Sequence, residues 1–178
     1  QAFYSVFTKS KNLKIPSTLN YVGLNAFANC YSLSDLYIND LSSFCKIEFN
    51  NSESSVFNGS ITKFYVNNTQ VTNVTIPNDI TELKSYTFSR AETITSVTIP
   101  STVTSIDGSS TFRYSGLKNV TVPSSVTSLN GFDGCTGLTS ITIPSSVTEI
   151  GYGCFSHCTG LTSITIPSSV TKLNGFDG

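Results

Sequence analysis

Methionine is absent from the 178 residues, histidine occurs once, and charged side chains make up only 12 % of the chain. The missing methionine leads us to expect that the chain does not start where translation started. Neither sign of charge is in surplus, with Lys plus Arg at 10, Asp plus Glu at 11 and a net charge of −1. That balance removes the electrostatic case for nucleic acid or an anionic membrane as partner. No apolar run approaches the roughly 18 residues needed to cross a bilayer. The opening Gln1-Ala2-Phe3-Tyr4-Ser5-Val6-Phe7 has neither a basic stretch nor a long apolar stretch, so a signal peptide is not expected there. The cysteines Cys30, Cys45, Cys135, Cys154 and Cys158 are odd in number and unevenly spaced, which is not a disulfide framework. No glycine loop for phosphate is present, and no segment keeps a long 3.6-residue apolar period, so long helices are not expected.

What fills the chain instead is a repeat. Pro77, Pro100, Pro123, Pro144 and Pro167 follow one another by 23, 23, 21 and 23 residues. Before each proline stands apolar-x-apolar: Val74 and Ile76, Val97 and Ile99, Val120 and Val122, Ile141 and Ile143, Ile164 and Ile166. Six residues after each proline comes Leu83, Ile106, Leu129, Ile150 or Leu173, and then an aromatic, Phe88, Phe112, Phe132, Phe155 or Phe176. Two looser copies precede these. Leu13-Lys14-Ile15-Pro16 leads to Val22 and Phe27, and Leu36-Tyr37-Ile38 is followed by Asn39 in place of proline.

Alternation of β-branched residues before each proline predicts a short strand, and the proline ends it because it has no N–H for a ladder. The segment after the proline predicts a second short strand. The stretch from Gly151 through Phe155 to Cys158 is expected to turn back with a brief helical or 3-10 piece. One such unit cannot bury its own apolar side chains, so units must stack, Ile143 over Ile166 and phenylalanine beside phenylalanine. The loops Leu129–Phe132 and Leu173–Phe176 are two residues shorter than Ile150–Phe155, so coil shape should vary there while the core register survives. The irregular insertion, about 41–71, holds two alternating runs around Asn67-Asn68-Thr69-Gln70 and predicts paired strands or a tight hairpin.

The run Leu138-Thr-Ser-Ile-Thr-Ile-Pro144-Ser-Ser-Val-Thr-Glu-Ile-Gly151-Tyr-Gly-Cys-Phe155-Ser-His-Cys158 resembles the BspA-type leucine-rich repeats, and the likeness covers essentially the whole chain. Leu41-Ser-Ser-Phe-Cys45-Lys-Ile-Glu-Phe49 resembles a longer variant repeat of that family. The resemblance implies a strand-dominated α/β leucine-rich-repeat solenoid: short parallel strands in a curved right-handed coil, with brief helical or 3-10 turns on the convex side. Length and the continuous repeat lead us to expect a single domain over 1–178, and the residues lead us to expect no cofactor and no enzymatic activity. The resemblance also implies a cell-surface or secreted, adhesin-like protein whose partner is a protein, such as a host matrix or surface protein. The chain begins and ends partway through a repeat, so a fragment of a longer array is expected. Gly23 and Gly151 follow the aliphatic while Asn130 and Asn174 replace it elsewhere, and asparagine tolerates the left-handed turn expected there.

Residues between the buried aliphatics of the first strand should face outward. One column is Lys14, Tyr37, Thr75, Thr98, Thr121, Thr142 and Thr165; beside it run Asn12, Asp35, Asn73, Ser96, Asn119, Ser140 and Ser163. This repeated face is the expected binding surface, with Tyr37, Lys14, Asp35, Asn73 and Asn119 among its contacts and Tyr37 as the preferred anchor. A plainer account is that Thr and Ser only favour strands and solubility. The alternative for the whole chain is a structural spacer presenting another domain, and a remoter one is an ice or carbohydrate binder using the threonines.

Cys154-Phe-Ser-His157-Cys158 offers too few ligands for structural zinc. Cys158 sits at the repeat position of Cys30, Ala91, Ser115 and Cys135, a small core slot. A Cys135–Cys158 bridge fits stacked neighbours, but parallel side chains disfavour it. Nucleophilic catalysis would have to centre on His157, and no strained nucleophile turn marks it. Asp133 and Asp177 occupy equivalent turns and read as scaffold. Asn50, Asn58, Asn67, Asn73 and Asn119 each open an Asn-x-Ser/Thr glycosylation sequon.

Overall fold

The computed structural model describes residues 10–57, 60–106, 108 and 110–174, which wind into a parallel-strand solenoid of about 7 turns with very little helix. Phe176, Asp177, Asn58 and Gln1–Phe7 lie outside the described residues.

The strands preceding the prolines form one face. β1 (Asn12–Ile15), β3 (Asp35–Ile38) and β5 (Lys63–Val66) pair in parallel, and β7 (Asn73–Thr75), β8 (Ser96–Thr98) and β10 (Asn119–Thr121) do the same further along the stack. Their central aliphatics, among them Leu36, Val74, Val97 and Val120, are buried. The prolines act as hinges: in each of the six the carbonyl accepts a 3.1 Å bond from the N–H three residues on, from Leu19 above Pro16 to Val170 above Pro167. A second face follows. β2 (Tyr21–Val22) pairs with β4 (Glu48–Phe49), and β9 (Ser105–Ile106), β11 (Ser128–Leu129), β12 (Glu149–Ile150) and β13 (Lys172–Leu173) form a parallel sheet.

Many of the hydroxyls are structural. The residue two places after the proline reaches the carbonyl of the coil below: Thr102 donates to Ile80 (2.7 Å), Ser125 to Val103 (2.5 Å), Ser146 to Val126 (2.7 Å) and Ser169 to Val147 (2.8 Å). Each ties two coils where the chain has just turned and strand bonds have not begun.

The segment around each phenylalanine makes a third ladder. Phe88 N–H donates to Thr111 (2.9 Å), Phe112 to Gly131 (2.9 Å) and Phe132 to Cys154 (3.1 Å); two residues on, Arg90, Tyr114 and Gly134 donate likewise to the next coil. A helix would keep those N–H groups within its own segment, so these regular coils carry turns here. The brief helical pieces lie in the second coil, as α1 (Leu41–Cys45), capped by Asp40, and a 3-10 turn at Ser52–Ser54.

The left-handed positions differ from those expected. Gly23, Gly151, Asn130 and Asn174 all lack a positive φ, whereas Asn29, Arg90, Tyr114, Gly134 and His157, each two residues after the phenylalanine, have φ between 55° and 70°. A side chain on Gly151 would collide with that of Asn130, so glycine serves close approach between coils there.

The phenylalanines form the spine. Phe88, Phe112, Phe132 and Phe155 stack at centroid distances of 5.7, 5.3 and 5.8 Å. Phe44, Phe57 and Phe64 carry it through the irregular region, Phe44 and Phe57 lying 6.0 and 6.4 Å from Phe88. The stack passes the shortened Leu129–Phe132 loop without losing register, helped by Gly131 at φ 89°. The insertion resolves into a hairpin. β6 (Thr69–Val71) pairs antiparallel with β5 through Asn67 and Asn68, whose φ of 50° and 63° make a two-residue primed turn. The alternating run that follows the turn is divided between β6 and β7, which belong to different sheets.

Candidate binding face

Side-chain alternation on the first face works as the repeat requires. Lys14, Thr75, Thr98, Thr121, Thr142 and Thr165 are exposed and Tyr37 half-buried; Asn12, Asn73 and Asn119 are exposed and Asp35 half-buried. Strand register aligns Lys14 with Tyr37, and Thr75 with Thr98 and Thr121, while a single bridge joins Thr121 to Thr142. Thr165 lies in a segment without strand pairing. The two columns are therefore not one continuous surface: the hairpin separates the β1–β3–β5–β6 sheet from the β7–β8–β10 sheet.

The hairpin also adds residues that the repeat frame did not expose. Tyr65 lies opposite Tyr37, and the rings stack with centroids 4.4 Å apart and planes within 5°. Lys63 lies opposite Asp35, and Gln70 opposite Tyr65. Lys14 Nζ stands 6.0 Å from the centroid of the Tyr37 ring, the outer limit of a cation–π contact. The row Lys14, Tyr37, Tyr65, Gln70 forms an aromatic and polar patch at one end of an otherwise hydroxyl-lined face. The Tyr37 phenol is held above the ordinary tyrosine value, first by local desolvation, then by Tyr65 and Asp35. It therefore stays protonated, a donor and acceptor, at neutral pH. The alternation in Lys63-Phe64-Tyr65-Val66 was the available signal for Tyr65. It was obscured because no proline anchors that strand to the repeat.

A second polar cluster lies on the turn side. Asp133, with only 18 % of its side chain exposed, accepts from Arg113 Nε at 2.6 Å and contacts His157 Nδ1 at 3.0 Å, joining three successive coils. Arg113 also lies 4.7 Å over the Tyr114 ring. Ser110, Tyr152 and Ser156 line the adjoining cleft. Both Asp133 oxygens are engaged in holding neighbouring coils, which fits a scaffold role. Among the described residues no group of three His, Cys, Asp or Glu could hold a metal ion.

The cysteines are all free and buried. Cys135 Sγ donates to Phe112 O and Cys158 Sγ to Phe132 O, both at 3.1 Å, so the two thiols point in parallel at the coil below. Burial pushes the Cys45 thiol up to about 12 and raises Cys154 as well. Cys45 and Cys154 are thus packing groups held in the neutral thiol form.

Comparison with curated protein sequences finds no match. Among solved structures, the fold resembles a leucine-rich repeat protein from Bacteroides ovatus (TM-score 0.61, 22 % identity), covering 93 % of this chain and 45 % of that one. It also resembles a leucine rich cell surface protein from Faecalibacterium prausnitzii (TM-score 0.50, 21 % identity, 92 % and 61 % covered). A third is the pneumococcal vaccine antigen PcpA (TM-score 0.57, 16 % identity, 93 % and 53 % covered). The chain thus spans about half the length of these relatives. Leucine-rich repeat solenoids are in general non-catalytic interaction or repeat modules. Residues 1–64 and 59–176 match the family model in 6 copies, and the chain belongs to the BspA type leucine rich repeat region family.

Proposed function

We propose that this chain is the protein-binding part of a cell-surface or secreted adhesin-like protein, and that its ligand docks on the pre-proline strand face. The observation that carries this reading is the Tyr37–Tyr65 stack, flanked by Lys14, Asp35, Lys63 and Gln70 on exposed strands. Tyrosines serve as binding anchors because they offer large contact area and a polar tip at small entropic cost. Threonines 75, 98, 121, 142 and 165, with Asn73 and Asn119, offer a second patch beyond the hairpin, whose weaker polar contacts add up over several coils. Similarity to a cell surface protein and to a vaccine antigen supports external display. A host matrix or surface protein is the partner class that reading implies.

The test is surface binding to immobilised collagen, fibronectin and laminin. Tyr37→Ala and Tyr65→Ala should each weaken binding by about tenfold or more. Thr98→Lys with Thr142→Lys should weaken it less. Binding that survives all four substitutions would remove this face as the contact surface. No binding by the unaltered chain to any of a broad set of matrix and surface proteins would favour a spacer that presents another domain.

A further inference from the structure

On the second face, β4 and the segment Thr81–Leu83 are neighbours that do not pair. Among the described residues β4 bonds only to β2, and Glu82 bridges only to Ser105 of the coil above. The directions of the backbone groups follow from bonds that are made. Glu48 N–H donates to Asn20 (3.0 Å) and Asn50 N–H to Val22 (3.1 Å), so Phe49 turns its N–H and C=O the other way. Thr81 C=O accepts from Thr104 (3.2 Å), so Glu82 turns its own groups down toward Phe49. Direct pairing would join Glu82 N–H to Ile47 C=O, Phe49 N–H to Glu82 C=O and Lys84 N–H to Phe49 C=O. None of these bonds is present.

Between the two edges lies a cleft of about 390 Å³, with Glu48 and Phe49 on one side and Glu82, Leu83, Lys84 and Ser85 on the other. Its ends are tied. Lys46 Nζ lies 2.6 Å from Asp79 before the two strands, and Arg90 lies 3.2 Å from Glu53 after them. The third coil, spent on the β5–β6 hairpin, supplies no strand here.

We infer that this cleft accepts an extended segment of a partner protein as an added parallel strand, completing one sheet from β2 to β13. Both edges would satisfy the incoming backbone, the principle of strand addition. The side-chain pattern of the guest follows from the rows it would join. Its outward residue would lie between Glu48 and Glu82, which favours Lys or Arg. The next, inward, residue would lie between Phe49 and Leu83, 7 % and 1 % exposed, which favours an aliphatic. The one after would lie between Asn50 and Lys84, which favours Asp or Asn. Glu82 already contacts Lys84 at 3.3 Å and would share itself between that lysine and the guest. The guest is thus a basic–aliphatic–acidic or amide segment, a pattern that Lys172-Leu173-Asn174 itself carries in β13 and the residue after it.

The test uses an acetylated peptide copying residues 169–174 as probe, with the whole chain as receptor. Saturable binding is expected, with amide exchange slowing at Phe49 and Glu82. Glu48→Lys combined with Glu82→Lys should weaken it by about tenfold or more, as should glutamate in place of the peptide lysine. Methylating the peptide backbone nitrogen at leucine should abolish it, and Tyr37→Ala should leave it unchanged. Circular dichroism of the double variant checks its folding, and the peptide variants test the site if that variant fails to fold. No binding at millimolar peptide, binding indifferent to the peptide charge, or slowed exchange elsewhere would overturn the inference.

Discussion

Phe112 has no exposed surface and lies between the rings of Phe88 and Phe132, so it belongs to three coils at once. Truncation removes contacts to both neighbours, and the flanking rings are themselves fixed. Phe112→Ala should cost about 3–5 kcal/mol in urea unfolding; a loss under about 1 kcal/mol would mean that the spine collapses freely around the gap. Backbone geometry gives a second residue-level prediction. Gly134 and Gly153 both have positive φ, at 70° and 62°. A methyl group on Gly134 would overlap the Tyr114 ring, whereas on Gly153 it would meet the Ser156 side chain, its hydroxyl 3.3 Å and its Cβ 3.8 Å away. Gly153→Ala should cost roughly 1 kcal/mol, the left-handed penalty alone. Gly134→Ala should cost clearly more by the same thermal melts, and equal losses would show that Tyr114 swings aside.

At the scale of elements, α1 illustrates how a departure from the repeat is stabilised. Asp40 caps its N-terminus by accepting from Ser42 and Ser43 N–H at 3.1 and 3.2 Å, and Asp79 accepts from Lys46 Nζ at 2.6 Å and Ser42 Oγ at 2.5 Å. Hydrogen bonding from Ser43 lowers the Asp40 carboxyl, and bonds from Lys46 and Ser42 lower that of Asp79. A carboxyl lowered in the folded state stabilises above its unfolded pKa of about 4, and that contribution is lost as pH falls through the folded value. The melting temperature should therefore decline below about pH 4, and the Asp40→Asn, Asp79→Asn double variant should decline less steeply. An identical slope would assign the acid sensitivity elsewhere. Proline spacing made the regular strands legible, because proline terminates a ladder and so marks register. The same device concealed Tyr65, whose strand no proline follows. The ties made by the Ser and Thr residues at 102, 125, 146 and 169 were not legible, because a hydroxyl bond to the next coil leaves no periodic mark beyond its own recurrence. The helical or 3-10 turn expected around each phenylalanine depends on where N–H groups point, which pattern alone does not specify.

Across the whole molecule, both strand faces are interrupted at the same place. β5 and β6 do not pair with β7, nor β4 with the Thr81–Leu83 segment, and the seam is crossed by side-chain ties such as Lys46–Asp79, Ser55–Ser89 and Glu53–Arg90 in place of strand pairing. In a stack whose stability is a sum over neighbouring interfaces, the seam should be the weakest. Hydrogen exchange should show two separately protected blocks, 10–66 and 73–174, opening with different free energies. A single opening energy throughout would mean that Phe44, Phe57 and Phe88 couple the halves fully. The turn after each phenylalanine carries a different kind of consequence. Asn29, Arg90, Tyr114, Gly134 and His157 share one backbone shape although their side chains have nothing in common. For Arg90, Tyr114 and Gly134 the backbone N–H donates to the next coil, and that bond holds the shape with unlike side chains in place. A solenoid of this design carries, along one edge, a row of positions whose backbone is set by the neighbouring coil, so a guanidinium, a phenol and a bare hydrogen can occupy it in turn, limited by the room the next coil leaves.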